Sequence, residues 1–408
     1  MRRLTEAFAV VVVLSALALV MGCGSSGPGM SPGPSVGTAG KPQPPPAYTV
    51  TDLGSSVAWG RLMEPSAIND SGQVAGRGTG SDNASPAWIW DNGSVSVLPN
   101  LPGCSPWEGH VLGMNSGGDI VGRVRDPANP DGHVSMSPVV WVAPPSPGGS
   151  YTPLEPPMPD PMGDQDDSGL PSAINASHEA VGRNGLGAPT KWFLWTPTGS
   201  DPQTPTGFAY QELPGSITLF DINDNHQAVG RDAAGPARWE WSGTVWTNET
   251  RVPLPSGGTP PVGGFPWISA PGDVTGSCTR SDGKSGSYVW QSGATYSVDI
   301  GLLSGCVSSV ITDINSSGVI VGYAQTTPDR KGLHSYKSFV GTPVRTGGVI
   351  TSYNLQDLAT VAGLQLVFHQ LGEDEPVITD AGAIACRGTL IRGSVVSRPL
   401  LLTPTTPN

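Results

Sequence analysis

One phrase recurs along the chain, and its spacing constrains the fold more than any other feature. It reads Ala-Ile-Asn-Asp-Ser-Gly-Gln-Val-Ala-Gly-Arg at 67–77. Close relatives stand at 113–123, 173–183 and 221–231, with a weaker copy at 269–277, a clear one at 313–322 and a last one at 379–387. The closing position falls at Gly76, Gly122, Gly182, Gly230, Gly276, Gly322 and Cys386. The intervals of 46, 60, 48, 46, 46 and 64 residues give a base period near 46 with two insertions. An aromatic run follows most copies: Trp88-Ile89-Trp90, Val139-Val140-Trp141, Trp192 to Trp195, Trp239-Glu240-Trp241 and Tyr288-Val289-Trp290. Phe339-Val340 and Leu400 to Leu402 hold that place in the last two units.

Each unit therefore reads strand, Asn/Asp-Gly turn, strand, loop, aromatic strand, turn, strand. The Asn at the turn start can hold backbone N–H groups two residues on. The Gly three residues later suits a left-handed conformation. The closing Gly permits close sheet-to-sheet approach, and Trp fills the space between sheets. Four short strands in about 46 residues is the size of a propeller blade. Composition agrees: 56 Gly, 42 Pro and only 13 % charged residues exclude helical bundles and coiled coils, and 12 Trp argue against wholesale disorder.

The ends of the repeat array predict how the ring closes. Unit seven stops at Leu402 without its fourth strand, while Tyr48 to Gly54 is an orphan fourth strand resembling Tyr353 to Leu358. The expectation is an all-β chain: a β-propeller of seven four-stranded blades, closed by the N-terminal strand joining the last blade.

These phrases resemble the HAF-type extracellular repeat family of bacteria, whose repeat runs Ala-x-x-Ile-Asn, two residues, Gly-x-Val-Val-Gly, then an aromatic strand and an Asp-Leu-Gly segment. The match covers 48–402. It is weakest where Ser269 and Thr379 replace the Asn, and His178 and His226 replace the turn Gly. The resemblance implies a secreted, propeller-like protein and no settled activity.

The first residues predict the address. Arg2 and Arg3 precede an apolar run from Ala7 to Met21, too short for an ordinary membrane span. Val20-Met21-Gly22-Cys23 resembles the lipobox of bacterial lipoproteins. That resemblance implies cleavage before Cys23, lipidation of its thiol, and attachment to the cell envelope; Gly24, in place of Asp, points to the outer membrane. Residues 23–47 are the lipidated Cys and a Gly/Pro/Ser tether, reaching about 25–30 Å as a flexible coil. The chain thus divides into signal peptide (1–22), tether (23–47) and propeller (48–408). Export leaves Cys104, Cys278, Cys306 and Cys386. They permit two disulfides, with Cys278–Cys306 and Cys104–Cys386 as the expected pairs.

Charge and motifs narrow the chemistry. A net charge of −12 without a Lys/Arg run argues against nucleic acid. The chain has no zinc spacing, and no metal or cofactor is expected. Cys278 to Ser285 is a near-miss to a phosphate loop followed by a strand, so it reads as structure. His178 and His226 read as turn residues, because His tolerates the left-handed region. The carboxylates of the 160–167 insertion read as a solvated loop. Arg77, Arg123, Arg183, Arg231 and Arg387 each follow the closing residue of a repeat, so a closed ring places them on one circle. They are the candidate ligand-binding residues, as an anion-binding rim. The expected function is a monomeric, non-catalytic, lipid-anchored binding or scaffolding protein with a glycan or protein ligand. The alternative is a glycan-active hydrolase or lyase using carboxylates near the channel, recognisable by convergent acids of raised pKa.

Overall fold

The computed structural model describes residues 48–54, 61–79, 85–105, 108–126, 135–146, 148–158, 170–184, 191–201, 204–214, 217–259, 266–328, 335–362, 375–392 and 394–405. Cys23, the tether and the 160–167 loop lie outside them, as does 363–371, which its sequence marks as an extra extended segment of unit six. The described residues form seven antiparallel blades in a ring, with one short helix, Leu358–Val361.

Blade 1 comprises Arg61–Ile68, Val74–Thr79, Ala87–Asp91 and Ser94–Val97. Blade 2 comprises Gly109–Met114, Ile120–Asp126, Ser135–Val142 and Thr152–Leu154; blade 3, Leu170–Ile174, Ala180–Arg183, Trp192–Thr198 and Gly207–Glu212. Blade 4 comprises Thr218–Ile222, Gln227–Asp232, Gly235–Trp241 and Trp246–Arg251. In blade 5, Val274–Thr279, Ser285–Trp290 and Ser297–Asp299 form the sheet, and its inner strand is reduced to the bridge between Ile268 and Val274. The phosphate-loop look-alike is the hairpin between the first two of these strands, as the sequence suggested. Blade 6 comprises Val310–Ile314, Ile320–Gln325, Tyr336–Thr346 and Val349–Asp357.

Blade 7 has the order Tyr48–Asp52, Ser394–Pro404, Ile384–Arg392, Val377–Ile378. The N-terminal strand lies antiparallel on its outer edge, with Tyr48 opposite Pro404 and Asp52 opposite Leu400. Arg398 Nη1 reaches Asp52 Oδ2 at 3.0 Å across the seam. Chain start and chain end therefore share one sheet, and the predicted closure is present.

Seven apolar clusters alternate with the blades. Ile89 and Leu98 of blade 1 pack on Trp141 of blade 2, and Val140 of blade 2 packs on Phe193 and Trp195 of blade 3. The last cluster joins Leu53 and Leu401 of blade 7 to Val74 and Trp88 of blade 1. Each sheet buries both faces, which explains the low charge of the chain.

The glycine ending each phrase has a different reason from the one expected. A Cβ at Gly76 would collide with the Glu64 carbonyl oxygen and stand 2.7 Å from the Trp88 ring; at Gly122 the obstacles are the His110 carbonyl and Trp141. The carbonyl intrudes because the inner strand bulges there, with register slips after Pro65 and after Val111. The tight approach is between strands of one blade and its own aromatic strand, not between sheets.

The Asn of the phrase does more than start a turn. Asn175 Oδ1 accepts from the N–H groups of Ser177 (3.0 Å) and Glu179 (2.9 Å), while its Nδ2 donates to the Asn223 carbonyl of the next blade at 3.2 Å. Asn115, Asn223 and Asn315 likewise donate to the carbonyls of Asn175, Ser269 and Thr379. The amide is thus a turn cap and an inter-blade clamp. Ser269 and Thr379 keep the cap, accepting from Asp273 and Ala383 N–H, but have no amide to donate.

The four cysteines of the body form no disulfide. Cys278 packs between blades 4 and 5, Cys306 between 5 and 6, and Cys386 between 6 and 7, while Cys104 packs against the cluster of blades 1 and 2. Each occupies a different core as a small apolar side chain, so neither expected pair is brought together.

Candidate functional site

The inner strands run side by side down the ring, and two cavities follow one another along them. The first, about 550 Å³, lies at the strand starts; the second, about 230 Å³, lies at the strand ends.

The first cavity collects Arg77, Arg123 and Arg183 from blades 1, 2 and 3. The common position after the closing glycine produces this: each Arg sits on the second strand directly opposite an inner-strand residue, namely Glu64, His110 and Leu170. Those partners give the three cations different surroundings. Arg77 is held by Glu64 at 2.8 Å. Arg77 Nη1 also donates to His110 Nδ1 at 3.4 Å. A guanidinium can only donate, so Nδ1 accepts and the ring proton sits on Nε2. Burial, then Arg123 and Arg77, push the His110 pKa down to about 3, so it is a neutral donor.

Arg123 and Arg183 make no ion pair among the described residues, and the Arg123 Nε is buried without a hydrogen-bond partner. Burial, with Arg77 beside it, holds the Arg123 guanidinium below its usual range; burial alone does so for Arg183. Such a cluster of partly dried like charges has the chemistry to accept an anion.

Aromatic rings from blades 3 to 5 line the same cavity. Trp192 meets Phe220 edge-on at 5.2 Å, and half-buried Trp267 enters from blade 5. Ser66, Ser172 and Thr312 supply hydroxyls at the inner-strand bulges, which turn these side chains into the channel. Glu375 completes the ring from blade 7, its carboxyl raised by burial.

Two predicted rim residues are not in this cavity. Arg231 is exposed and lies over the Phe220 ring, 5.8 Å from its centroid. Arg387 stands at the equivalent place in blade 7 but does not line the space. Blades 5 and 6 carry Ser277 and Tyr323 at that position, so the cations form an arc over blades 1 to 3 and not a full circle. Sequence reasoning missed His110, Trp267 and the bulge residues. The bulge residues could have been found by aligning the position two before the Ile or Met of each phrase.

The second cavity is acidic. Asp221 of blade 4 and Asp313 of blade 6 line it, each pushed up to about 7 by burial. Both oxygens of each carboxyl accept main-chain N–H groups. Asp221 takes Ile222 (2.8 Å) and Ile268 (2.9 Å); Asp313 takes Ile314 (2.7 Å) and Ile378 (2.8 Å). Blades 5 and 7 have vestigial inner strands, so Ile268 and Ile378 find acceptors in the preceding blade. These acids staple the ring and are separated by a blade. The pattern expected of a catalytic pair, raised acids converging on one reacting position, is met in pKa and not in arrangement.

His178 and His226 adopt φ values of 61° and 58°, the turn conformation expected of them. Each reaches the carboxylate of the preceding blade: His178 Nε2 to Asp119 Oδ2 at 3.0 Å, His226 Nδ1 to Glu179 Oε2 at 2.7 Å. Among the described residues no group of three or more His, Cys, Asp or Glu could hold a metal ion.

No protein-family model matches the chain, and no curated protein does. Solved structures do. An oligogalacturonate lyase from Vibrio parahaemolyticus superposes with TM-score 0.50 at 10 % identity, over 87 % of this chain and 93 % of that one. The WD40 domain of SCAP from fission yeast gives 0.41 at 9 %, over 88 % and 98 %. The acylaminoacyl peptidase of Pyrococcus horikoshii gives 0.43 at 10 %, over 79 % of this chain and half of that one. At such identities the likeness is one of propeller fold.

Proposed function

We propose that this chain is a non-catalytic binding protein of the bacterial cell envelope, lipid-anchored through Cys23, which holds an anionic ligand in the first cavity. The anchor rests on the lipobox-like Val20 to Cys23, and the envelope address fits the HAF-type phrases. The observation that carries the binding reading is the cluster of Arg123 and Arg183, without carboxylate partners among the described residues, beside Arg77 and neutral His110 in one recess. Charge-assisted bonds to such donors contribute about 1.5–3 kcal/mol each. Asp221 and Asp313 are occupied with main-chain N–H groups and Glu64 is paired with Arg77, which leaves Glu375 as a single raised acid in the first cavity rather than a converging pair and favours binding over turnover.

The test is calorimetric titration with an acidic polysaccharide such as polygalacturonate. The expected result is saturable binding by the full-length protein, reduced at least 100-fold in Arg123→Ala/Arg183→Ala with melting behaviour retained. Equal binding by both proteins removes the proposal.

A further inference from the structure

The cavity has a sidedness that narrows the ligand. Its cations stand on blades 1 to 3, and its aromatic wall on blades 3 to 5. A long polyanion needs cations spaced along a track, yet the circle breaks after blade 3, where Arg231 is taken up by Phe220 and Ser277 and Tyr323 follow. A single anionic group that meets Arg123 and Arg183 leaves the rest of its molecule facing Trp267.

The hydroxyls discriminate further. Ser172 Oγ donates its proton to the Val181 carbonyl at 3.1 Å, and Thr312 Oγ1 donates to the Pro376 carbonyl at 2.6 Å. Both therefore offer the cavity lone pairs only. Sulfate has nothing to donate to them, and hydrogen phosphate has one O–H where a sugar ring has several. A polyhydroxylated ring with one carboxylate has both halves of the match: an anion for the guanidiniums and O–H donors for Ser172 and Thr312. Its C–H face suits the half-buried indole of Trp267. A volume of about 550 Å³ falls within the range of small-molecule sites, roughly 300–1,000 Å³.

We propose that the first cavity is an end-on receptor for a carboxylated sugar, a hexuronic acid at the end of a short glycan, with its carboxylate on Arg123 and Arg183 and its ring against Trp267. This rests on the anion-binding reading above and goes further by naming the ligand class and its orientation.

The experiment titrates the purified full-length chain, following Trp fluorescence and heat, with four probes: galacturonate, a galacturonate trisaccharide, inorganic phosphate and galactose. The expected order is trisaccharide at least as tight as galacturonate, and both at least tenfold tighter than phosphate or galactose. Trp267→Ala should weaken the uronate probes about tenfold, while Trp267→Phe, which keeps a ring against the neighbouring core, should stay within about threefold. Arg123→Ala/Arg183→Ala should lose them. Phosphate binding as tightly as galacturonate overturns the sugar assignment and leaves the anion site standing. Polygalacturonate binding without any response to the short probes also overturns it, in favour of a surface track. Failure of every anion, polygalacturonate included, overturns both readings.

Discussion

The two ends of the channel are made from one repeat and carry opposite charge. At the strand starts, Arg77 is paired with Glu64, while Arg123 and Arg183 face the recess without a carboxylate partner among the described residues. At the strand ends, the Asp221 and Asp313 carboxyls are buried more deeply still, yet every carboxylate oxygen has a backbone partner. Burial of charge alone therefore does not mark a site. What separates the ends is satisfaction: the acids at one end have their bonds complete and hold blades together, while the proposed anion site at the other gathers cations that lack carboxylate partners in an open recess.

Three measurements bear on that contrast. The largest effect should come from the structural end. Asn223→Ala removes the Oδ1 that accepts the N–H groups of Asn225 and Gln227 and the amide that donates to the Ser269 carbonyl, and should lower unfolding free energy by about 3 kcal/mol in urea titrations, with anion affinity per folded molecule unchanged. A change in affinity without a loss of stability would break the division between the ends.

Next in size is a pH effect. The carboxyls of Asp221 and Asp313 titrate higher in the fold than in an unfolded chain, so the folded state holds their protons more tightly. Their contribution is full below about pH 4 and is lost as pH rises through about 7. His178, raised by its bond to Asp119, has the same sign, while His110 has the opposite one and favours the fold above its unfolded value. The Asp contribution should appear as a difference: wild type should lose about 1–2 kcal/mol more than Asp221→Asn/Asp313→Asn between pH 5 and 8 in chemical denaturation. Parallel profiles for the two proteins would show that these acids are solvated.

The smallest effect sharpens the contrast from outside the channel. Arg251 bridges Asp232 at 2.6 Å on the outer face of blade 4, with 40 % of its side chain exposed. It pulls the Asp232 carboxyl down to about 2, yet a solvent-screened pair contributes little. Arg251→Ala should cost less than about 1 kcal/mol in thermal or urea unfolding and leave binding unaltered. A loss comparable to that of Asn223→Ala would mean that surface charge also holds the blades.

Much of the architecture was legible because its determinants are local. A turn Asn, a left-handed Gly or His, a bulge-facing Gly and an aromatic strand recur within each unit, so blade count follows from counting phrases. Closure was legible from the missing strand at one end and the surplus strand at the other. The clamps were not: Asn175 finds its acceptor at Asn223, 48 residues away, on a main-chain carbonyl that has no sequence identity to read. The cysteines misled for a related reason, since an even number and the expected export permit pairing while position decides it.

The site divides along the same line. Sequence by itself determined that five Arg residues occupy equivalent places in the repeat. Only the tertiary structure decided which of them share a cavity, because equivalence of position does not bring equivalence of neighbours. Arg77 meets Glu64, Arg231 meets Phe220, and Arg123 and Arg183 meet an open recess across from Trp267. A period fixes where each side chain starts along the ring. The residues opposite it, drawn from other strands and other blades, fix whether its charge is already answered.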